Sequence, residues 1–201
     1  MTDWEDSLPP RVRERLAKAG DLSSEEKERM QYSRELDSLL SRFYRDELDS
    51  EGLWVRLRDY AAQGKGYLLR DVQVKLLDSL NLGSSDMDIE RRKDGVLAVE
   101  SVKEDPDTAT LEVGLNGISD LRKSYEDELQ RAYAQVRAQV ERDPRQRVEQ
   151  VKQGENVGMV QLTVDEAVRR NPQWQEFLAQ HEKRYTEEFA RLIDRLKLDL
   201  R

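Results

Sequence analysis

Cysteine is absent from this sequence, and histidine occurs only once, at position 181. Without cysteine the chain has no thiol nucleophile, no disulfide and no thiolate ligand for a metal ion. The sequence offers equally little for imidazole chemistry. Because His181 shares an apolar helical face with Trp174 and Tyr185, we interpret it as a histidine packed in the core and not as a general base.

Long apolar runs are also missing. The longest have only about four residues, whereas a membrane-spanning helix needs about 20. The first residues, MTDWEDSLPPRVRERL, carry acids where a secretory signal has bases, and they contain no apolar centre. We therefore expect a cytoplasmic protein that has no membrane partner.

Basic residues are the minority among the charged ones. Lys plus Arg number 34 against 42 Asp plus Glu, which gives a formal net charge of −8. This excess of acid argues against nucleic acid as a partner, because proteins bind it mainly through cationic surface. Aromatic residues make up only 6% of the chain, and charged residues 38%. Such a composition favours long helices exposed to solvent.

The 201 residues are enough for one or two domains. We predict an α+β fold that is mostly helical and has three segments: an N-terminal helical segment (1–83), an antiparallel β meander (84–117) and a long helical hairpin with an inserted short helix and strand (118–201). No linker rich in Gly, Ser or Pro separates these segments, so they are expected to form one composite domain.

Helical periodicity dominates the N-terminal segment. Ser23 and Glu26 have the spacing of a capping box, which predicts a helix that begins there and runs to about Leu48. Two further helices are expected to end before Gly64 and Gly83, since glycine commonly follows the last turn of a helix.

The apolar period changes after Gly83 from about 3.6 to about 2. Asp94 and Gly95 stand between two alternating runs, which is a strong signal for a tight hairpin turn, and the run TATLEVGL alternates as well. We therefore predict a three-stranded antiparallel meander over about residues 86–115. The run 157–162 is expected to add a fourth strand at its edge, because a single strand is not stable alone.

Two long helices are predicted after the meander, over 118–140 and 174–200. Their apolar residues recur at steps of three and four, and Asn171 and Pro172 suit the start of the second helix. Counted with their end turns, the rods have about 25 and 28 residues and similar lengths, roughly 37 and 42 Å at 1.5 Å per residue, so we expect them to pack antiparallel. Between them we predict a short helix over 145–154 and a capping box at Thr163.

The leading functional hypothesis is a non-enzymatic protein–protein interaction or scaffold protein. The sequence shows no converging set of catalytic, cofactor-binding or metal-ligating residues, and it does not identify a protein partner. The apolar stripes of the two rods must be buried, since exposure costs about 1.5–3 kcal/mol for each large side chain. We therefore expect a homo-oligomer, a dimer, that associates through these helices, with Val136, Val140, Leu192 and Leu196 as interaction residues.

A carboxylate-based enzyme assisted by a divalent metal is the first alternative. Asp86, Asp88 and Glu90 alternate, and on a strand all three would project from one face, as oxygen ligands for a cation must. Alternating acids also keep the solvent face of any strand polar, which is the simpler interpretation.

A nucleic-acid-associated or phage-type accessory protein is the second alternative. It would use basic residues next to the predicted turns, namely Arg91, Arg92 and Arg145. In a chain with an acidic balance, solvated charge at turns is the simpler interpretation of these residues as well.

Overall fold

The structure, a computed structural model, describes residues 24–153 and 156–200. In these ranges the chain is mostly helical and contains one two-stranded antiparallel sheet. The helices are α1 (Ser24–Tyr44), α2 (Ser50–Ala62), α3 (Tyr67–Asp78), α4 (Asp86–Glu100), α5 (Thr108–Arg142), α6 (Val164–Arg170) and α7 (Pro172–Asp199). A 3-10 helix (Pro144–Arg147) and strands β1 (Val148–Gln153) and β2 (Asn156–Gln161) lie between α5 and α6.

The chain divides into two compact units, Met1–Leu53 and Trp54–Arg201. In the first unit, α1 buries an apolar stripe that includes Leu36 and Phe43. The helix ends at Tyr44 and not at Leu48 as predicted, because Asp46 takes a left-handed φ of 63°. The predicted capping residue Ser23 lies outside the described residues.

The second unit begins within α2. Gly64, with a φ of +77°, follows the end of this helix as predicted. Helix α3 packs on α4, and α4 packs on the first half of α5. Side chains that become fully buried in this part of the unit include Val72, Leu76, Val96 and Leu115.

The predicted meander is absent, because α4 and α5 occupy residues 86–100 and 108–142. In α4 the buried residues Ile89, Val96 and Val99 follow the helical period, and Gly95 is buried inside the helix instead of forming a turn. The Ser85 side chain accepts a hydrogen bond from the backbone N–H of Asp88 at 3.1 Å, which caps the helix. The alternation that predicted strands was therefore a coincidence of small and polar residues.

The run TATLEVGL, which predicts a strand by its alternation, lies in helix α5 instead. Leu111, Leu115 and Ile118 are buried, and their spacing of four and three places them on one face of α5. Glycine inside a helix is unfavourable by about 1 kcal/mol, so Gly114 and Gly117 favoured the strand interpretation. Both glycines face α7, but only position 114 is too close to α7 for a Cβ; at position 117 a Cβ would make an ordinary contact.

Helices α5 and α7 pack against each other in antiparallel orientation, as the sequence predicts. Gly114 lies next to Leu196 near one end of the pair, and the rings of Tyr133 and Trp174 meet at 5.5 Å near the other. The buried stripe of α7 contains Ile193 in place of the predicted Leu192. With 35 residues, α5 is about 52 Å long.

A second apolar cluster closes the far end of the helical pair. Val140, Leu162, Val168 and Trp174 are buried there together. The predicted capping box is present, since Thr163 and Glu166 exchange hydrogen bonds at the start of α6.

Residues 145–153 do not form the short helix predicted over 145–154, whose last residue lies outside the described residues. The chain makes one 3-10 turn and continues as β1, which pairs with β2. The strand predicted over 157–162 therefore exists, as β2, but its neighbour is β1 and not a meander.

The two glycines of α5 provide a test of the helix pairing. A Cβ at position 114 would lie 2.6 Å from Leu196 Cδ2, whereas a Cβ at position 117 would lie 3.7 Å from Leu192 Cδ2. We expect Gly117→Ala to raise the free energy of unfolding by about 0.5–1 kcal/mol through helix propensity alone. We expect Gly114→Ala to lose this gain to overpacking, which costs about 1–3 kcal/mol. Urea unfolding of both variants measures the difference, and equal effects would contradict the pairing.

Candidate interaction surface

The single histidine lies in the seam between α5 and α7. The His181 ring stacks on Tyr125 at 4.7 Å and on Phe177 at 5.0 Å, and it is only 3% exposed. Its Nε2 atom lies 3.6 Å from a carboxylate oxygen of Glu128 and makes no hydrogen bond. Burial lowers the pKa of His181, and nearby Arg184 contributes to this shift while Glu128 opposes it. This placement agrees with the interpretation of His181 as a packing residue.

The three acidic residues of the metal hypothesis lie on α4 and not on a strand. Asp86 pairs with Arg122 of α5, Asp88 with Arg92 and Glu90 with Lys93, each at 2.9 Å. Across residues 24–153 and 156–200, no group of three or more acidic or histidine side chains is arranged to hold a metal ion. The metal-assisted enzyme therefore stays a hypothesis.

Of the basic residues of the nucleic-acid hypothesis, Arg145 lies far from the adjacent Arg91 and Arg92. Arg92 packs at the start of α4, where it donates hydrogen bonds to Ser79 and Asp88. Arg145 follows the C-terminal end of α5, whereas α4 contacts α5 near Ser119 and Arg122. Some 20 helical residues separate the two places, about 30 Å, so these arginines do not form one surface.

The four predicted interaction residues pack within their own chain. Val136 and Val140 belong to the cluster at the far end of the helical pair. Leu192 and Leu196 lie beside Gly117 and Gly114 at the opposite end. Val140 and Leu196 are buried, and the other two are half-buried. A role for these residues between copies of the chain stays a prediction.

Leu192 also lines a groove on the surface of the helical pair. The groove has a volume of about 430 Å³, an apolar floor that includes Leu121, and charged residues of both signs at its rim. The rim residues are Asp120, Glu188, Arg191 and Arg195.

We call the two-stranded sheet of β1 and β2 the ribbon, and no other described strand pairs with either of its edges. Its exposed side chains include Val148 (44%), Met159 (67%) and Val160 (45%). Other apolar side chains are exposed on the helices, but only on the ribbon do they coincide with an open hydrogen-bonding edge.

The hydrogen-bond pattern shows which backbone groups face outward. The N–H of Leu162 donates to the carbonyl of Arg147 at 2.7 Å, and this pair continues the register of the ribbon. In an antiparallel ladder, bonded and non-bonded pairs alternate. The N–H and C=O groups of residues 157, 159 and 161 therefore point away from β1, at the free edge of β2.

The two edges of the ribbon differ in charge. Strand β1 contains Glu149 and Lys152, and Glu149 forms an ion pair with Arg170 of α6. Strand β2, with the sequence NVGMVQ, contains no charged residue. Charged side chains, lysine above all, commonly protect edge strands from pairing with another chain, and β2 lacks this protection.

A cavity of about 750 Å³ lies at the base of the ribbon. Its polar lining consists of side-chain amides and the pair formed by Glu149 and Arg170. These groups offer hydrogen bonds but neither a nucleophile nor a cluster of metal ligands.

Comparison with known proteins places this architecture in a family. The model of a family of unknown function (DUF6657) matches residues 54–201. The chain belongs to this family. The matched residues of DUF6657 coincide with the second unit of the structure, Trp54–Arg201, and thus include the helical pair and the ribbon. No curated protein and no solved structure matches the chain. None of the described helices is both long and apolar enough to cross a bilayer.

The buried histidine predicts a specific dependence of stability on pH. Its pKa is lower in the folded chain than in the unfolded chain, where it is about 6.5. The unfolded state therefore binds more protons, and stability falls as the pH drops below about 6.5. The pKa of Glu128 and that of Glu100 are lowered from 4.5, so their contributions are lost only below that value.

We expect His181→Phe to remove the loss of stability between pH 7 and pH 5, because phenylalanine keeps the ring stack without a titrating nitrogen. Tyr125→Phe is the matched control, since it keeps both the stack and the histidine. Urea unfolding across this pH range measures the slope. If His181→Phe retained the slope of the original chain, another group would be responsible for it.

Proposed function

We propose that this chain is a non-enzymatic protein–protein interaction protein that self-associates. In this proposal the helical pair of α5 and α7 is the structural support, and the ribbon between these two helices is the surface that binds the other molecule. The observation that carries the proposal is the open edge of β2, where outward backbone groups coincide with the exposed Met159.

The stability of short sheets supports this proposal. An isolated two-stranded hairpin is at best marginally stable in water, and a third strand or a covering helix makes it stable. The described side chains of the ribbon are exposed except for Glu149, which is half-buried. A strand from another molecule would provide the third strand, which the described part of the chain does not contain.

The packing of the long helices also bears on the proposal. Most of the apolar stripe of α7, from Trp174 to Leu196, is buried within the chain. Self-association through the helices would therefore use the groove beside Leu192 and not the buried stripe. The groove is the alternative surface that an experiment must distinguish from the ribbon.

Sedimentation equilibrium tests the proposed self-association. We expect the mean mass to rise with concentration, from low to high micromolar, toward that of two chains. Because each chain carries a net charge of −8, copies repel one another, and added salt should strengthen association by screening this repulsion. A strict monomer at every concentration and salt level would overturn the proposal.

A further inference from the structure

We infer that β2 pairs with β2 of a second copy, in antiparallel register and centred on Met159, to give a four-stranded sheet. This inference rests on the proposed function and names the surface and the partner. It follows from the backbone pattern of the ribbon, from the side chains that this register brings together, and from the charge difference between the two edges.

The backbone pattern restricts the possible registers. In an antiparallel ladder, hydrogen-bonded and non-bonded pairs alternate, so a residue whose N–H and C=O face outward must lie opposite another such residue. When the two strands are identical and related by a two-fold axis, one residue therefore lies opposite its own copy. On β2 the outward-facing residues are 157, 159 and 161. In the register centred on Met159, three pairs form both of their hydrogen bonds. Residue 159 pairs with its own copy, and residue 157 of each copy pairs with residue 161 of the other.

The side chains fit this register. Met159, the most exposed side chain of the ribbon at 67%, lies directly opposite its copy, so two flexible apolar side chains cover each other. On the other face, Val160 lies opposite Gly158 of the second copy. Glycine leaves space for the valine, while the opposed Met159 side chains form the cross-strand pair that stabilises the sheet in this register.

The charges favour β2 over β1 as the pairing edge, and they permit the second copy that the register brings into place. Strand β2 has no charged residue, so homotypic pairing brings no like charges together despite the net charge of the chain. Strand β1, by contrast, contains two charged residues, Glu149 and Lys152, and Glu149 is engaged by Arg170. The pairing also removes the only uncharged open edge among the described residues.

A proline scan of the two edges tests the inference. The N–H of Met159 faces outward, so Met159→Pro removes an intermolecular donor without removing a hydrogen bond of the ribbon. Gln150→Pro is the matched control, because Gln150 is paired with Met159 in the ribbon and its N–H faces the outer edge of β1. We expect Met159→Pro to be monomeric in sedimentation equilibrium and Gln150→Pro to remain dimeric. Circular dichroism of both variants verifies that the helices are intact.

Single cysteines provide a second measurement, since the chain has none of its own. In the inferred register the Cα atoms of residue 159 and its copy are about 5.5 Å apart, a distance that a disulfide spans. Mild oxidation of Met159→Cys should give a covalent dimer in high yield. Gln150→Cys should give little, because its copies lie at opposite edges of the four-stranded sheet.

The outcomes separate this inference from the proposed function. If the unmodified chain is a monomer, self-association itself is wrong. If the chain is a dimer but Met159→Pro is equally dimeric, or residue 159 crosslinks no better than residue 150, the inferred pairing is wrong while self-association stands. A monomeric Leu192→Asp variant beside a dimeric Met159→Pro variant would place the interface in the groove of the helical pair.

Discussion

The close approach of α5 to α7 is the contact on which the second unit depends. Leu196 fits against α5 only because position 114 has no side chain, since a Cβ there would lie 2.6 Å from the leucine methyl. This contact sets the rotation of each helix about its own axis. As a result, the rings of Tyr125, His181 and Tyr185 meet along the interface between the two helices. The loss of stability from two glycines in a helix is small compared with the gain from burying several large apolar side chains.

A buried polar network sets where α5 begins. Glu100, which is 6% exposed, accepts a hydrogen bond from Gln73 of α3 at 2.7 Å and pairs with Lys103. Its second oxygen accepts the backbone N–H of Asp107 at 3.1 Å, and Asp107 caps α5. Burial alone would raise the pKa of Glu100, but these hydrogen bonds outweigh it and lower the pKa. The carboxylate thus connects α3, α4 and the first turn of α5, which fixes the position of Gly114 relative to α7.

The sequence predicts a helix best where its apolar residues are large and its caps conventional. The span of α7 was predicted from its stripe and from Asn171, whereas the first part of α5 was not, because glycines interrupt an otherwise helical pattern. Only the partner helix explains Gly114, and a partner is not visible in local periodicity. Local periodicity is equally uninformative about the ribbon, because it does not show which strand lies beside which. Val148 and Val151 are three residues apart and indicated a helix, and the outward edge of β2 is defined only once β1 is known to be its neighbour.

The ribbon is larger than the connection between the two long helices requires. Antiparallel helices can be joined by about 2–5 residues, yet α5 ends at Arg142 and α7 begins at Pro172. Part of the inserted segment serves the fold, since Leu162 and Val168 help to bury Trp174 at the end of the helical pair. The described side chains of the strands bury almost nothing by comparison. Because ordering a residue costs about 1–2 kcal/mol of backbone entropy, a ribbon that packs so little of its own chain is the feature that the proposed pairing with a second copy would account for.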